Sequence, residues 1–303
     1  MKKITLLGVL LLSLFTVTVA GAAEQLIVTG HGNPHISIVD MRSSTILWQY
    51  DLNEKENCNS LHLFRGESQI LFSTQLGARI ISLDKEVLWE YKLDASEHCE
   101  LHCVMPLSNG GFALFIAGTP ARIVEYSSDN QKVGEIEFDG VSKSPHTQFR
   151  QAAMGKNGNW LISLFAKKGV VEMTPAGEIV AEYKTGGGFG VSEALNGNLL
   201  SGMGDGHSMV ELDKESNSIV SKHEKLGGGP ITLLYIGQYE QIARKRYLIA
   251  NWSGHNRKNP LPGPYSQLVE FDDKGNITWS WDDEGRDLGM ISAFYYSKKS
   301  IIK

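Results

Sequence analysis

Apolar and polar residues alternate along this chain in short runs, and each run closes on a polar turn. A period of two over four to eight residues predicts half-buried strands. In residues 40–50, DMRSSTILWQY, an acidic residue closes one strand, a polar turn follows, and a second strand ends in an aromatic pair. The pattern returns in SLDKEVLWEYKLD, where Trp89 follows Trp48 by 41 residues, and again in EFDDKGNITWSWDD with Trp279 and Trp281. Self-similarity at about 40 to 50 residues is the signature of four-stranded blades stacked around an axis. The expected fold class is therefore all-β, a β-propeller.

Counting strands fixes the number of blades. LIVTG, HISIVD and the aromatic segment give three strands with no inner strand before them, whereas four are legible from NCNSLHLF to EVLWEYKLD. Three further groups follow, and a sixth begins at PITLLYIG, with QYEQIARKR read as its expanded first turn. One strand, GMISAFYY, is left over at the C-terminus; added to the three N-terminal strands it completes a blade. This 1+3 closure gives six blades of about 47 residues, favoured over seven, with no open sheet edge. The turns SNGG, KNGN and NGN place Asn-Gly between strands, where positive φ is expected at both central residues. Trp48, Trp89 and Trp279 are read as packing between blades.

The first residues change the picture of where the chain works. Lys2 and Lys3 precede an apolar run from Ile4 to Val19, followed by small residues. The run is short of the ~20 residues a membrane span needs. Residues 1–22 are therefore expected to be a cleaved signal peptide and residues 23–303 a single propeller domain, not embedded in a membrane. No Cys stands at the cleavage point to carry a lipid, so the expected location is periplasmic or secreted. The formal charge of −5, without a basic patch, speaks against nucleic acid as a partner. Cys58, Cys99 and Cys103 are an odd set for an exported chain. Cys99 and Cys103, four apart on one strand, are beyond disulfide reach. Cys58 and Cys99 occupy similar places in neighbouring blades, leaving a disulfide or two buried thiols as alternatives.

In such blades the loops between second and third strands share a face with the loops that enter the next blade, and ligands bind there. Eight of the nine histidines fall on or near that face; His223 does not. Candidate ligand-binding residues are His31, His35, His62, Gln148, Trp252, Arg257, Gly187 and Gly228. The glycines belong to GGGFG and GGGP, inter-blade loops in which backbone can approach a ligand or simply crowd near the axis. His146 with Arg150 four residues along is the pair expected to act in catalysis, with His102, His207 and His255 as partners across the channel. His102, His146, His207 and His255 are also candidate ligands for a divalent metal.

ISIVDMRSSTILWQY resembles the quinoprotein-type propeller repeat, with Asp40 and Trp48 at the family spacing and Ser43–Ser44 in place of Thr-Gly. VEFDDKGNITWSW, LSNGGFALF, KNGNWLIS and LNGNLLSG are similar to repeats of bacterial arylsulfate sulfotransferases, six-bladed periplasmic propellers that use a histidine nucleophile. The resemblance covers the mature chain as architecture. The chain lacks the adjacent cysteine pair of the quinone-dependent dehydrogenases, so quinone (PQQ) binding is not implied. It also lacks the sulfotransferases' additional N-terminal domain.

Three functions compete. The first is a monomeric binding propeller that recognises a small molecule, glycan or protein on its histidine-bearing face. The second is an enzyme acting on an acidic sugar or sulfate ester, with histidine as base or nucleophile and arginine holding the anion. The third is an envelope-assembly scaffold. Convergence of the histidines on one pocket favours the second; scatter around the rim favours the first.

Overall fold

The computed structural model describes residues 24–302 apart from 55, 95, 139–140, 230, 257–264 and 282–287. The expected signal segment and Arg257 lie outside the described residues. Among them the chain forms six four-stranded antiparallel sheets. The first blade holds β1 (Gln25–Thr29), β2 (His35–Asp40) and β3 (Thr45–Asp51). Blade two is β4 (Cys58–Phe64), β5 (Gln69–Thr74), β6 (Gly77–Ser82) and β7 (Val87–Lys92). Blade three is β8 (Glu100–Pro106), β9 (Phe112–Ala117), β10 (Ala121–Tyr126) and β11 (Lys132–Phe138). Blade four is β12 (Phe149–Met154), β13 (Trp160–Leu164), β14 (Gly169–Met173) and β15 (Ile179–Tyr183). Blade five is β16 (Gly190–Glu193), β17 (Leu199–Gly202), β18 (Met209–Asp213) and β19 (Ser218–His223). Blade six is β20 (Ile236–Ala243), β21 (Arg246–Asn251), β22 (Leu268–Asp272) and β23 (Ile277–Trp281). The C-terminal β24 (Ala293–Ser297) pairs with β1, from Gln25 opposite Ser297 to Thr29 opposite Ala293, and completes blade one.

The inner strands close a ring: β4 packs on β8, β8 on β12, β12 on β16, β16 on β20, and β24 touches both β20 and β4. Burial follows from that position. All six residues of β9 are buried, whereas the outer strands β7 and β11 alternate between exposed and half-buried. The outer aromatics bind blade to blade, as their spacing predicts. Trp48 Nε1 donates to Leu83 O (2.8 Å), and Trp89 packs edge-on against Phe112 and Tyr126, with ring centroids 4.8 and 5.1 Å apart.

At the seam of the ring, Arg246 of blade six donates to both carboxylate oxygens of Glu24 (2.7 and 2.9 Å) and to Glu270 (2.8 Å). Tyr296 Oη donates to Glu24 as well (2.5 Å). The guanidinium holds the Glu24 carboxyl down at about 2.

Two local expectations are corrected and one open alternative is decided. Residues 231–235 of PITLLYIG are not a strand: the inner strand of blade six is Ile236–Ala243, which runs through most of the supposed expanded turn. Leu233, Leu234 and Tyr235 are buried as a loop that leads into it. In the Asn-Gly turns only the glycines take positive φ: Gly110 (81°), Gly158 (84°) and Gly197 (93°). Each turn spans three residues, so a type I turn followed by a left-handed glycine satisfies the twist, and Asn109 Oδ1 accepts from Gly111 N (2.9 Å). All three cysteines are free thiols, Cys58 and Cys103 buried, so the Cys58–Cys99 disulfide is not formed. No helix among the described residues is long and apolar enough to cross a membrane.

Candidate functional site at the axial mouth

Four inner strands are bulged where they enter from the loop face. The register shifts between Cys58 and Ser60 in β4, Leu101 and Cys103 in β8, Phe149 and Ala152 in β12, and Ile236 and Gly237's neighbour Gln238 in β20. A bulge leaves its extra residue out of the ladder and re-aims the side chain. The residues released in β8 and β12 are His102 and the pair Arg150 and Gln151.

His102 meets Glu100, two residues earlier on the same strand: Nε2 lies 2.6 Å from Glu100 Oε2. The same carboxylate oxygen is 3.0 Å from Nδ1 of His146. His146 sits not on β12, as its spacing from Arg150 implied, but in the short 3-10 turn Pro145–Thr147 ahead of it. That turn is pinned by Ser142 Oγ to Thr147 Oγ1 (2.7 Å) and by Gln148, whose side chain bonds Gly118 N (2.8 Å), Gly118 O (2.8 Å) and Ser142 O (2.7 Å). The two imidazoles stand nearly perpendicular, with centroids 5.7 Å apart. Hydrogen bonds from His102 and then His146 hold the Glu100 carboxyl well below its usual range, while burial pushes His102 down. Glu100 and His146, but not His102, line a cleft of about 870 Å³ that also holds His98, Cys99, Arg122 and Lys143.

Arg150 is 5% exposed. Its Nη2 donates to His146 O, while Nε and Nη1 are buried without a hydrogen-bond partner among the described residues. The guanidinium lies over Phe165 (4.9 Å to the ring centroid) and faces Phe189 (5.7 Å). Burial works against its charge, and among the described residues no carboxylate pairs with it directly.

A chain of rings continues from there around the mouth. Phe189 packs edge-on against Tyr235 (4.9 Å), Tyr235 against Trp252 (5.1 Å) and His255 (5.3 Å), and Trp252 against His31 (5.7 Å). His255 Nδ1 is 2.7 Å from Asp205, Trp252 Nε1 donates to His31 O (2.9 Å), and His207 Nδ1 meets Leu234 O.

The histidines thus form two groups rather than one. His102 and His146 converge on Glu100, and His31, His207 and His255 belong to the opposite arc, so the four-histidine metal set does not assemble. The remaining candidates have structural occupations. His35 Nδ1 pairs with Asp51 (2.8 Å) at the end of a β2–β3 rung, and His62 Nε2 meets Val104 O (3.0 Å) between inner strands. Gly187 lies against Met203, where an added Cβ would come within 2.8 Å of its Cε, and Gly228 lies against Ile277 of the outermost strand of blade six. Glu100, Phe165, Phe189, Tyr235 and Asp205 were missed by sequence reasoning. Glu100 had a signal: in CELHC it stands two before His102, on the same side of a strand.

The chain compares with known proteins as follows. Residues 33–234 match the model of the family described as Mal s 1 allergenic protein-like. No curated protein matches in sequence. A crystal structure of a protein of unknown function from Bacteroides caccae superposes with a TM-score of 0.81 at 32% identity, covering 91% of this chain and 99% of that one. A streptogramin B lyase structure reaches 0.58 at 14% identity, covering 90% and 88%. A catalytically inactive histidine variant of virginiamycin B lyase from Staphylococcus aureus, with quinupristin, reaches 0.57 at 13%, covering 87% and 86%. These two share the propeller fold. The resemblance to quinoprotein and sulfotransferase repeats extends as far as that architecture, and by its sequence match over two thirds of its length this chain belongs to the Mal s 1 allergenic protein-like family.

Proposed function

We propose that this protein is an exported propeller, periplasmic or secreted, that binds an anionic small molecule such as an acidic sugar or sulfate ester at its axial mouth. One observation carries the reading: a nearly fully buried arginine, bonded to the backbone of the cleft residue His146, keeps two guanidinium nitrogens without a hydrogen-bond partner among the described residues. An unpaired buried charge costs several kcal/mol, so a fold retains one where a ligand supplies the missing partner. Arg150 offers a planar fork suited to carboxylate or sulfate, and Phe165 and Phe189 exclude water from it.

Catalysis at the same mouth is the second reading, favoured by the Glu100–His102–His146 cluster next to the anion anchor. That donor set can move a proton or hold an ion. Two structural neighbours are lyases by their descriptions, but at 13 to 14% identity the likeness is one of fold.

The test is thermal melting and calorimetric titration of the mature chain with glucuronate, aryl sulfates and benzoate, against neutral sugars. The expected result is stabilisation by one anion class and, in Arg150→Met, at least tenfold weaker binding, since a hydrogen bond to a charged group contributes about 1.5–3 kcal/mol. The same variant should melt higher than the parent without ligand, because it removes a buried unpaired charge. Anion binding that survives in Arg150→Met, or no response to any anion, overturns the reading.

A further inference from the structure

We infer that Glu100, His102 and His146 form a binding site for a divalent first-row transition ion. The anion reading rests on Arg150; this one rests on different residues and a different geometry. One candidate ligand atom from each residue lies within 4.8 Å of the other two, and Glu100 Oε2 contacts both Nε2 of His102 and Nδ1 of His146. Two nitrogens and one oxygen on one side of an ion, with further positions open, suit zinc, iron, cobalt or manganese rather than calcium or magnesium.

The arrangement is built rather than incidental. A β-bulge aims His102, the two-residue strand period puts Glu100 beside it, and the 3-10 turn presents His146 from the following blade. Gln148 locks that turn to Gly118 of blade three through two hydrogen bonds and to Ser142 through a third. The nearly perpendicular imidazoles converge on a common point instead of stacking. Metal bonds of about 2.0–2.2 Å put neighbouring donor atoms roughly 2.8–3.1 Å apart at octahedral angles and roughly 3.3–3.6 Å apart at tetrahedral ones. The 3.0 Å contact has the octahedral spacing, and the 2.6 Å contact needs to open by a few tenths of an ångström to reach it.

Exposure is graded as such a site requires. The His102 side chain is 8% exposed, Glu100 22% and His146 61%, so the ion would be anchored from the protein side and open toward the cleft. An ion with open positions takes water or an anionic ligand there. Arg150 opposes a cation at this point, and Arg122 and Lys143 line the same cleft. Glu100 offsets Arg150 within the site.

Cobalt(II) alone is the probe, added to chelator-treated mature protein and followed by its visible absorption and by titration calorimetry. The expected result is one ion per chain with nitrogen-ligand bands, and an affinity that falls at least tenfold in both Glu100→Gln and His146→Ala. His146 is largely exposed, so that variant is expected to fold; an unchanged melting temperature without metal checks it. His207→Ala and His255→Ala should bind as the parent does. Arg150→Met should bind cobalt as well as the parent or better while losing the anion, which separates this site from the anion anchor. No stoichiometric cobalt, or cobalt binding unchanged in Glu100→Gln and His146→Ala, overturns the proposal.

Discussion

Glu240 shows how a single residue on an inner strand couples this propeller to pH. Burial pushes its carboxyl up to about 7, against the opposing effect of a 2.6 Å hydrogen bond from Gln238 Nε2. Between its ordinary value of 4.5 and about 7 the folded chain holds a proton that the unfolded chain has released. Stability therefore falls as pH rises through that window and levels above it. Glu240→Gln should abolish the slope, with the parent losing up to about 3 kcal/mol relative to the variant between pH 4.5 and 8, at 1.36 kcal/mol per unit. Urea denaturation at a series of pH values measures this, and parallel curves would refute it. At the same scale, the sequence made part of the site legible. His102, His146 and Arg150 could be picked out because loop-face position and residue type are both readable from blade counting. Glu100 carried a signal in its two-residue spacing from His102, but nothing in CELHC reveals that His146 approaches from the next blade. What the sequence could not show of Arg150 is that two of its nitrogens lack a hydrogen-bond partner among the described residues.

At the level of elements, strand existence followed from alternation almost everywhere, and the failure at β20 explains itself physically. PITLLYIG is more apolar than IGQYEQIA, but the ring lets an inner strand keep polar residues: Gln238 donates to Phe294 O (2.8 Å) and accepts from Phe294 N (2.8 Å), joining β20 to β24 across the closure. Hydrophobic pattern alone cannot anticipate a side chain that replaces a ladder bond between blades. The same junction depends on close backbone approach. A Cβ added at Gly237 would lie 2.4 Å from Ser292 O, and one at Gly190 would lie 2.6 Å from Gly237 O. Gly237→Ala should therefore cost about 1–3 kcal/mol, as overpacking against backbone does. Gly66, on a turn with open space around its Cα, is the comparison: Ala there meets nothing within 4 Å and bears only the strain of φ +70°. Equal losses at the two positions would show that β20 and β24 can separate without penalty.

The molecule as a whole is a closed ring, and the closure concentrates on Arg246. This side chain joins blade six to Glu24, which leads into blade one, and to Glu270, which is 5% exposed. Removing the guanidinium leaves two carboxylates facing each other, one of them nearly buried, and a broken buried pair costs about 3–5 kcal/mol. Because the Arg246 and Glu24 side chains keep about a third of their exposure, solvent screening brings the expectation for Arg246→Ala to roughly 2–4 kcal/mol. In an open solenoid such a loss would fray the terminal repeat and leave the others intact. In this ring every inner strand leans on two neighbours, so opening one seam removes support from both sides of the axis at once. The expected calorimetric trace of Arg246→Ala is accordingly a single transition shifted down, with Glu270→Gln in the same background recovering part of the loss by removing the orphaned charge. A split into two transitions, with most of the enthalpy remaining at the parent temperature, would mean that the seam melts as a local latch and that the six blades do not fold as one cooperative unit.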